Sequence, residues 1–166
     1  MKKAKLQKRT AMNEQAYDQA LTYLSRRNYS QAELAQKLQH KGYEMGEIRD
    51  VLARLCAAEL VNDIALAQRL YERYVEEGIY GNAYIAYRLQ KKGLEMPDRM
   101  RAEEENQRAL HLVQTRLMDA SGCVKKRKIA SFLANRGYTP STLYAVCEAL
   151  GEAVQLDRTT KKIYNK

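Results

Sequence analysis

The sequence predicts an all-α fold of three tandem three-helix repeats, and three observations carry that prediction. The first is a short pattern that occurs three times: Leu or Ile, three spacers, Leu, two spacers, a basic residue, Gly, and a large apolar or aromatic residue. The copies are Leu34/Leu38/Lys41/Gly42/Tyr43, Ile85/Leu89/Lys92/Gly93/Leu94 and Ile129/Leu133/Arg136/Gly137/Tyr138. Each spells the end of a helix: Gly takes the left-handed conformation after the last turn, and the Leu and the following large residue close the apolar contact of a Schellman motif. The basic residue before each Gly sits at the negative end of the helix dipole. The second observation is composition. Two prolines and eight glycines in 166 residues, with 45% apolar content, suit helices around a core. The third is that no stretch alternates Val, Ile and Thr at period two, so strands are not required.

The elements follow in order. Residues 1–12 read as a basic flexible arm. The first repeat, 13–58, opens with a helix from about Asn13 to Arg27 that places Tyr17, Leu21 and Leu24 on one face. Ser30 and Glu33 form a Ser-x-x-Glu capping box for the second helix. Leu34 and Leu38 give that helix its inner face and Gly42 stops it. Ile48, Val51, Leu52 and Leu55 mark the third helix. The second repeat, 59–106, starts at a cap on Asn62 or Asp63 and holds Ile64, Ala67, Leu70, Tyr71 and Tyr74. After a break at 78–81 its second helix runs to the stop at Gly93, and Pro97 suits the first position of the next helix. That helix turns polar from Arg101 to Arg108, which predicts a bend or a disordered turn before Ala109. The third repeat, 107–154, then carries Leu112, Val113 and Leu117, a break at Ser121-Gly122, a helix stopped at Gly137, and a last helix capped by Thr139 with Pro140 at its first turn. Residues 155–166 read as a basic tail. The stop glycines lie 51 and 44 residues apart, nine helices in all.

The net charge of +9 predicts an acidic partner. The charge is uneven: from Ala120 to Cys147 there are five basic residues and no acid. Lys125, Lys126, Arg127 and Lys128 open a helix, where the dipole disfavours cations, so an acidic partner or phosphates would offset the cost. The isolated Cys56, Cys123 and Cys147 show no metal-ligand spacing, which predicts a reduced, cytoplasmic setting. No apolar run is long enough to span a membrane. His40 and His111 are far apart, and no phosphate-cradling Gly loop or Gly-x-Ser-x-Gly motif occurs. The sequence therefore predicts a monomeric binding protein, not an enzyme, with no cofactor and no metal.

The stretch Leu24-x-x-Arg27-x-x-Ser30-x-x-Glu33-Leu34-x-x-Lys37-Leu38-x-x-Lys41-Gly42-Tyr43 resembles the signature of the RecX regulatory proteins. So do Leu60-Val61-Asn62-Asp63 with Ala67, Gly81 with Ile85, Leu89 and Lys92-Gly93, and Lys128, Phe132-Leu133 and Arg136-Gly137-Tyr138. The resemblance covers roughly residues 13–150. It implies an elongated, curved body of three tandem three-helix repeats. It also implies binding to the RecA recombinase filament on single-stranded DNA, with docking in the filament groove that limits growth, ATP hydrolysis and strand exchange. No catalytic residues are implied.

Basic residues beside the repeated apolar pair are the candidate partner-binding set: Lys37, Arg88 and Lys91, with Lys125, Lys126, Arg127 and Lys128. They are expected to face the acidic or DNA-bearing side of the filament. The alternative is a basic helical protein that binds single-stranded DNA directly and competes with RecA. Gly42, Gly93 and Gly137 are the structural helix stops.

Overall fold

The computed structural model describes residues 14–97 and 102–155. The basic arm, residues 98–101 and the tail beyond 155 lie outside the described residues. Helix α1 covers residues 14–24. It is followed by α2 (Gln31–His40), α3 (Met45–Ala57), α4 (Asp63–Glu77), α5 (Asn82–Gln90), α6 (Ala102–Arg116), α7 (Lys126–Ala134) and α8 (Pro140–Leu150). The fold is all-α and built of helical repeats.

The three predicted stops share one geometry. Gly42, Gly93 and Gly137 have φ of +92°, +69° and +74°. In each, the amide just after the Gly reaches back five residues to the Leu carbonyl: Tyr43 to Leu38, Leu94 to Leu89 and Tyr138 to Leu133, at 3.3, 3.0 and 3.1 Å. This is the six-to-one bond of the Schellman motif. The paired apolar residues one and two turns earlier are fully buried, with Leu34, Leu38, Ile85 and Leu89 at 0% exposure.

Helix starts follow the sequence where it named a cap. Ser30 Oγ accepts from the Glu33 amide at 3.1 Å and Glu33 takes the Ser30 amide at 3.2 Å. Asn62 caps α4 by accepting from the Ala65 amide at 2.9 Å. The neighbouring Asp63 instead accepts from the Gln31 amide at 3.0 Å. Thr139 caps α8 above Pro140.

Two expectations fail, and one apolar residue of a predicted helix is exposed. Neither a bend nor a disordered turn precedes Ala109: α6 is continuous from Ala102 to Arg116. Its inner face is Glu105, Ala109, Leu112 and Val113, an unbroken helical stripe in which a buried Glu replaces an apolar residue. Glu105 is tolerated because its carboxylate takes the Asn82 amide at the start of α5, at 2.8 Å. Ile64 is 84% exposed. It lies in the first turn of α4, where side chains lean towards the helix N-terminus and past the body of the helix. A strand pair also occurs: β1 (Val124–Lys125) runs parallel to β2 (Val154–Gln155).

The chain divides into two compact units, Met1–Leu70 with Leu89–Met96 and Tyr71–Arg88 with Pro97–Lys166. In the first, α2 packs on α3 around Ala16, Ala20, Leu34, Leu38, Ile48, Val51 and Leu55. In the second, α8 packs on α6 and α7 around Ala109, Val113, Val124, Ile129, Leu133, Tyr138 and Val146. Burying each such Leu or Ile contributes about 1.5–3 kcal/mol.

Candidate partner-binding groove

The run Lys125–Lys128 is held in place by the loop before it. Asp119 Oδ1 accepts from the Ser121 amide at 3.0 Å, the Ser121 hydroxyl at 2.6 Å and the Cys123 amide at 2.9 Å. The Ser121 hydroxyl and the Cys123 amide hold the Asp119 carboxyl below the usual carboxylate range. An Asp that bonds its own downstream backbone is a strong turn former. The loop delivers the chain to β1, whose buried Val124 anchors it in the core.

Lys125 is the N-cap of α7, in extended conformation and without a side-chain cap hydrogen bond. Lys126, Arg127 and Lys128 fill the first turn, which contains no acid. All four cations are exposed. Cations at a helix N-terminus each cost roughly 0.3–1 kcal/mol, and the same dipole adds to their attraction for an anion.

Beside this turn lies an open groove of about 580 Å³, lined by Leu117, Lys125, Arg127, Lys128, Ser131, Phe132, Asn135 and Arg136. The Arg136 guanidinium stacks 3.6 Å from the Phe132 ring centre, and its Nη1 donates to the Phe132 carbonyl at 3.0 Å. Arg136 Nε is buried with no protein partner. The groove thus offers several cationic donors, two neutral polar side chains and an aromatic ring. That combination suits an anionic partner, either carboxylates or a phosphate backbone with an unpaired base.

The sequence-predicted basic residues are not one cluster. Lys125, Arg127 and Lys128 share the groove. Lys126 does not line it and instead acts on Cys147, whose thiol is pushed up by burial with Lys126 opposing the shift. Arg88 belongs to the same unit. It is exposed on α5, with Nη1 donating to the Tyr84 hydroxyl at 3.1 Å. Lys37 and Lys91 belong to the other unit. Lys37 Nζ lies 5.1 Å from the Tyr23 ring centre and 5.4 Å from that of Tyr29, so its charge rests on two aromatic faces. Sequence reasoning missed Phe132, Ser131 and Asn135 as groove residues, and counted Arg136 in the basic stretch and in a helix stop but not in the candidate set. The four-residue spacing of Phe132 and Arg136 was the available signal.

Among the described residues no group of three or more His, Cys, Asp or Glu could hold a metal ion, and no helix is long and apolar enough to cross a membrane.

Comparison with known proteins places the chain. Residues 16–55 match the model of the first three-helix domain of RecX. Regulatory protein RecX of Chlorobaculum tepidum is 34% identical over 135 residues, covering 77% of this chain and 83% of its own length. Regulatory protein RecX of Halorhodospira halophila is 30% identical over 152 residues, covering 86% and 92%. The crystal structure of RecX from Lactobacillus salivarius superposes with a TM-score of 0.76 over 85% of this chain and 97% of that one, at 19% identity, a likeness of fold. With relatives this similar along most of its length, the chain belongs to the RecX family of regulatory proteins.

Proposed function

We propose that this protein is a non-catalytic modulator of the RecA recombinase that docks in the groove of the RecA–single-stranded DNA filament and limits filament growth, ATP hydrolysis and strand exchange. Membership in a family of regulatory proteins supports the regulatory part of this reading. The observation that carries the docking face is the exposed run Lys125–Lys128 beside an open groove. A charged groove along a polymer is a complementary partner for such a face. Several weak contacts made at once gain strength through effective concentration. The electrostatic share weakens with salt, because the screening length is only about 8 Å at physiological ionic strength.

A second reading is favoured by Phe132, the single Phe of the chain, which lines the same groove. In that reading the groove takes single-stranded DNA directly and RecA is displaced by competition. Titrating this protein into RecA's single-strand-dependent ATPase, at two salt concentrations, separates the two. Inhibition at a small fraction of the RecA concentration supports filament docking. Inhibition that appears only as the DNA saturates supports competition, and no inhibition at any ratio rejects both.

A further inference from the structure

Helix α5 carries a second cationic and aromatic surface. Its start is held by the stop of the next repeat, as that of α2 is. The Gly81 amide donates to the Arg136 carbonyl at 2.9 Å, where in the first unit Ser30 Oγ donates to the Lys92 carbonyl. A Cβ added at Gly137 would lie 2.5 Å from that of Tyr84, whereas one added at Gly42 meets nothing within 4 Å. Tyr84 is thus fixed at its root by the backbone of the α7 stop.

Residues three and four positions apart on a helix are neighbours on one face. Those after Tyr84 are Tyr87 and Arg88, both exposed, with half of Tyr87 in solvent. The Tyr80 ring stacks on Tyr84, with centres 4.3 Å apart and planes 14° from parallel. Tyr74 meets Tyr80 edge-on at 5.9 Å. Both are favoured arrangements of aromatic rings, so three tyrosines make a firm wall beside Arg88.

Phenols, not a carboxylate, hold Arg88. Its Nη1 donates to the Tyr84 hydroxyl at 3.1 Å. Tyr74, followed by that hydrogen bond to Tyr84, has the largest influence on the guanidinium, and both favour its charged form. The contrast is Arg73 on α4, which pairs with Glu77 at 3.7 Å. A carboxylate cancels a charge, whereas a neutral phenol orients it and leaves it in place. The last turn of a helix also favours a cation. A guanidinium has five N–H donors, and two phenols leave some of them for an anion.

We infer that Tyr87 and Arg88 form a second binding site, on α5, that takes one nucleotide of an unpaired nucleic-acid strand, with Arg88 on the phosphate and Tyr87 stacked on the base. Cationic groups that follow the backbone and rings that receive bases are the two parts of a single-strand site. An acidic protein surface would match Arg88 alone and leave the exposed ring beside it without a role. Paired bases in a duplex are stacked on each other and offer Tyr87 no face. Neither residue lines the α7 groove, and the site acts without RecA.

The test is fluorescence anisotropy of a labelled oligothymidylate with the full chain, across a salt series and without RecA. Arg88→Gln is expected to flatten the slope of log K against log salt by about 0.7, the share of one phosphate contact on a single strand. Arg88→Lys should keep the slope. Tyr87→Ala is expected to weaken binding about 5- to 150-fold, and Tyr87→Phe to restore it. On a duplex of the same length Tyr87→Ala should have no effect. Both side chains are exposed, and a thermal melt of each variant checks the fold. An unchanged slope in folded Arg88→Gln, or unchanged affinity in folded Tyr87→Ala, would overturn the inference and leave the α7 groove as the strand site. A parent protein that does not bind the strand, or an equal loss on strand and duplex in Tyr87→Ala, would overturn it as well.

Discussion

The first unit closes its repeat contact with charge, and the second closes the equivalent contact with backbone and a buried cap. In the first, Glu33 gathers Arg27, Lys92 and the Ser30 amide, at 3.2, 2.8 and 3.2 Å. In the second, the Gly81 amide meets the Arg136 carbonyl. Glu105, from a helix twenty residues further along, caps Asn82, and Arg108 Nη2 donates to Asn82 Oδ1 at 2.7 Å. A Cβ on Gly81 would overlap the Gly137 carbonyl, so the backbones touch where the first unit uses side chains. One geometry is thus reached by two chemistries. The first should be sensitive to pH and salt, and the second to any added volume.

Volume at the second contact should give the largest effect. Gly137→Ala combines left-handed strain of roughly 1–2 kcal/mol with overlap on Tyr84. We expect a total loss of about 3–5 kcal/mol by urea denaturation. Gly42→Ala carries the strain without the overlap and should lose only about 1–2 kcal/mol. Equal losses would mean that the close approach to Tyr84 relaxes freely. Next in size is Glu105→Gln, which removes a charged acceptor from a buried amide and should cost about 1.5–3 kcal/mol. Glu33→Gln, at a partly solvated site, should cost about 1–2 kcal/mol. A reversed order would contradict the assignment of the buried cap to the second unit.

The units should also part on acidification. Burial pushes the Glu33 carboxyl up, but hydrogen bonds from Arg27, Lys92 and the Ser30 amide outweigh it and hold the group below its usual 4.5. A carboxylate with a depressed folded pKa contributes stability that is full above its unfolded pKa and lost as pH falls through the folded one. Thermal melts below pH 4.5 should therefore show a falling midpoint that Glu33→Gln flattens. A slope unchanged by that substitution would show that other carboxylates govern the acid limb.

The same contrast explains what could be read in the sequence. The stops, the Ser30–Glu33 box and the paired Leu and Ile positions are set by neighbours within five residues, so spacing reveals them. The contacts of Ser30 with Lys92, Gly81 with Arg136 and Asn82 with Glu105 join residues 23 to 62 apart. Nothing local marks them. The polar run 101–108 read as a bend or a disordered turn because polar residues on a helix interior usually mean loop. Here Glu105 is buried because it caps another helix. In the groove, the cations were legible as a charge run at a helix start. Phe132 was not, because an apolar residue beside Leu133 reads as core until the face of α7 is known.

The expected effect on stability at that charge run is small and of the opposite sign. Lys125→Glu with Lys128→Glu replaces exposed cations at a helix start with acids that suit its dipole and should raise stability by roughly 0.6–2 kcal/mol. The decisive measurement is RecA's single-strand-dependent ATPase with the parent protein and this double variant, at matched low and physiological salt. The account predicts that inhibition by the variant is largely lost with no fall in melting temperature. It also predicts that the parent's inhibition weakens as salt rises. Undiminished inhibition by a folded double variant would contradict the claim that the cationic start of α7 is the face that meets the filament.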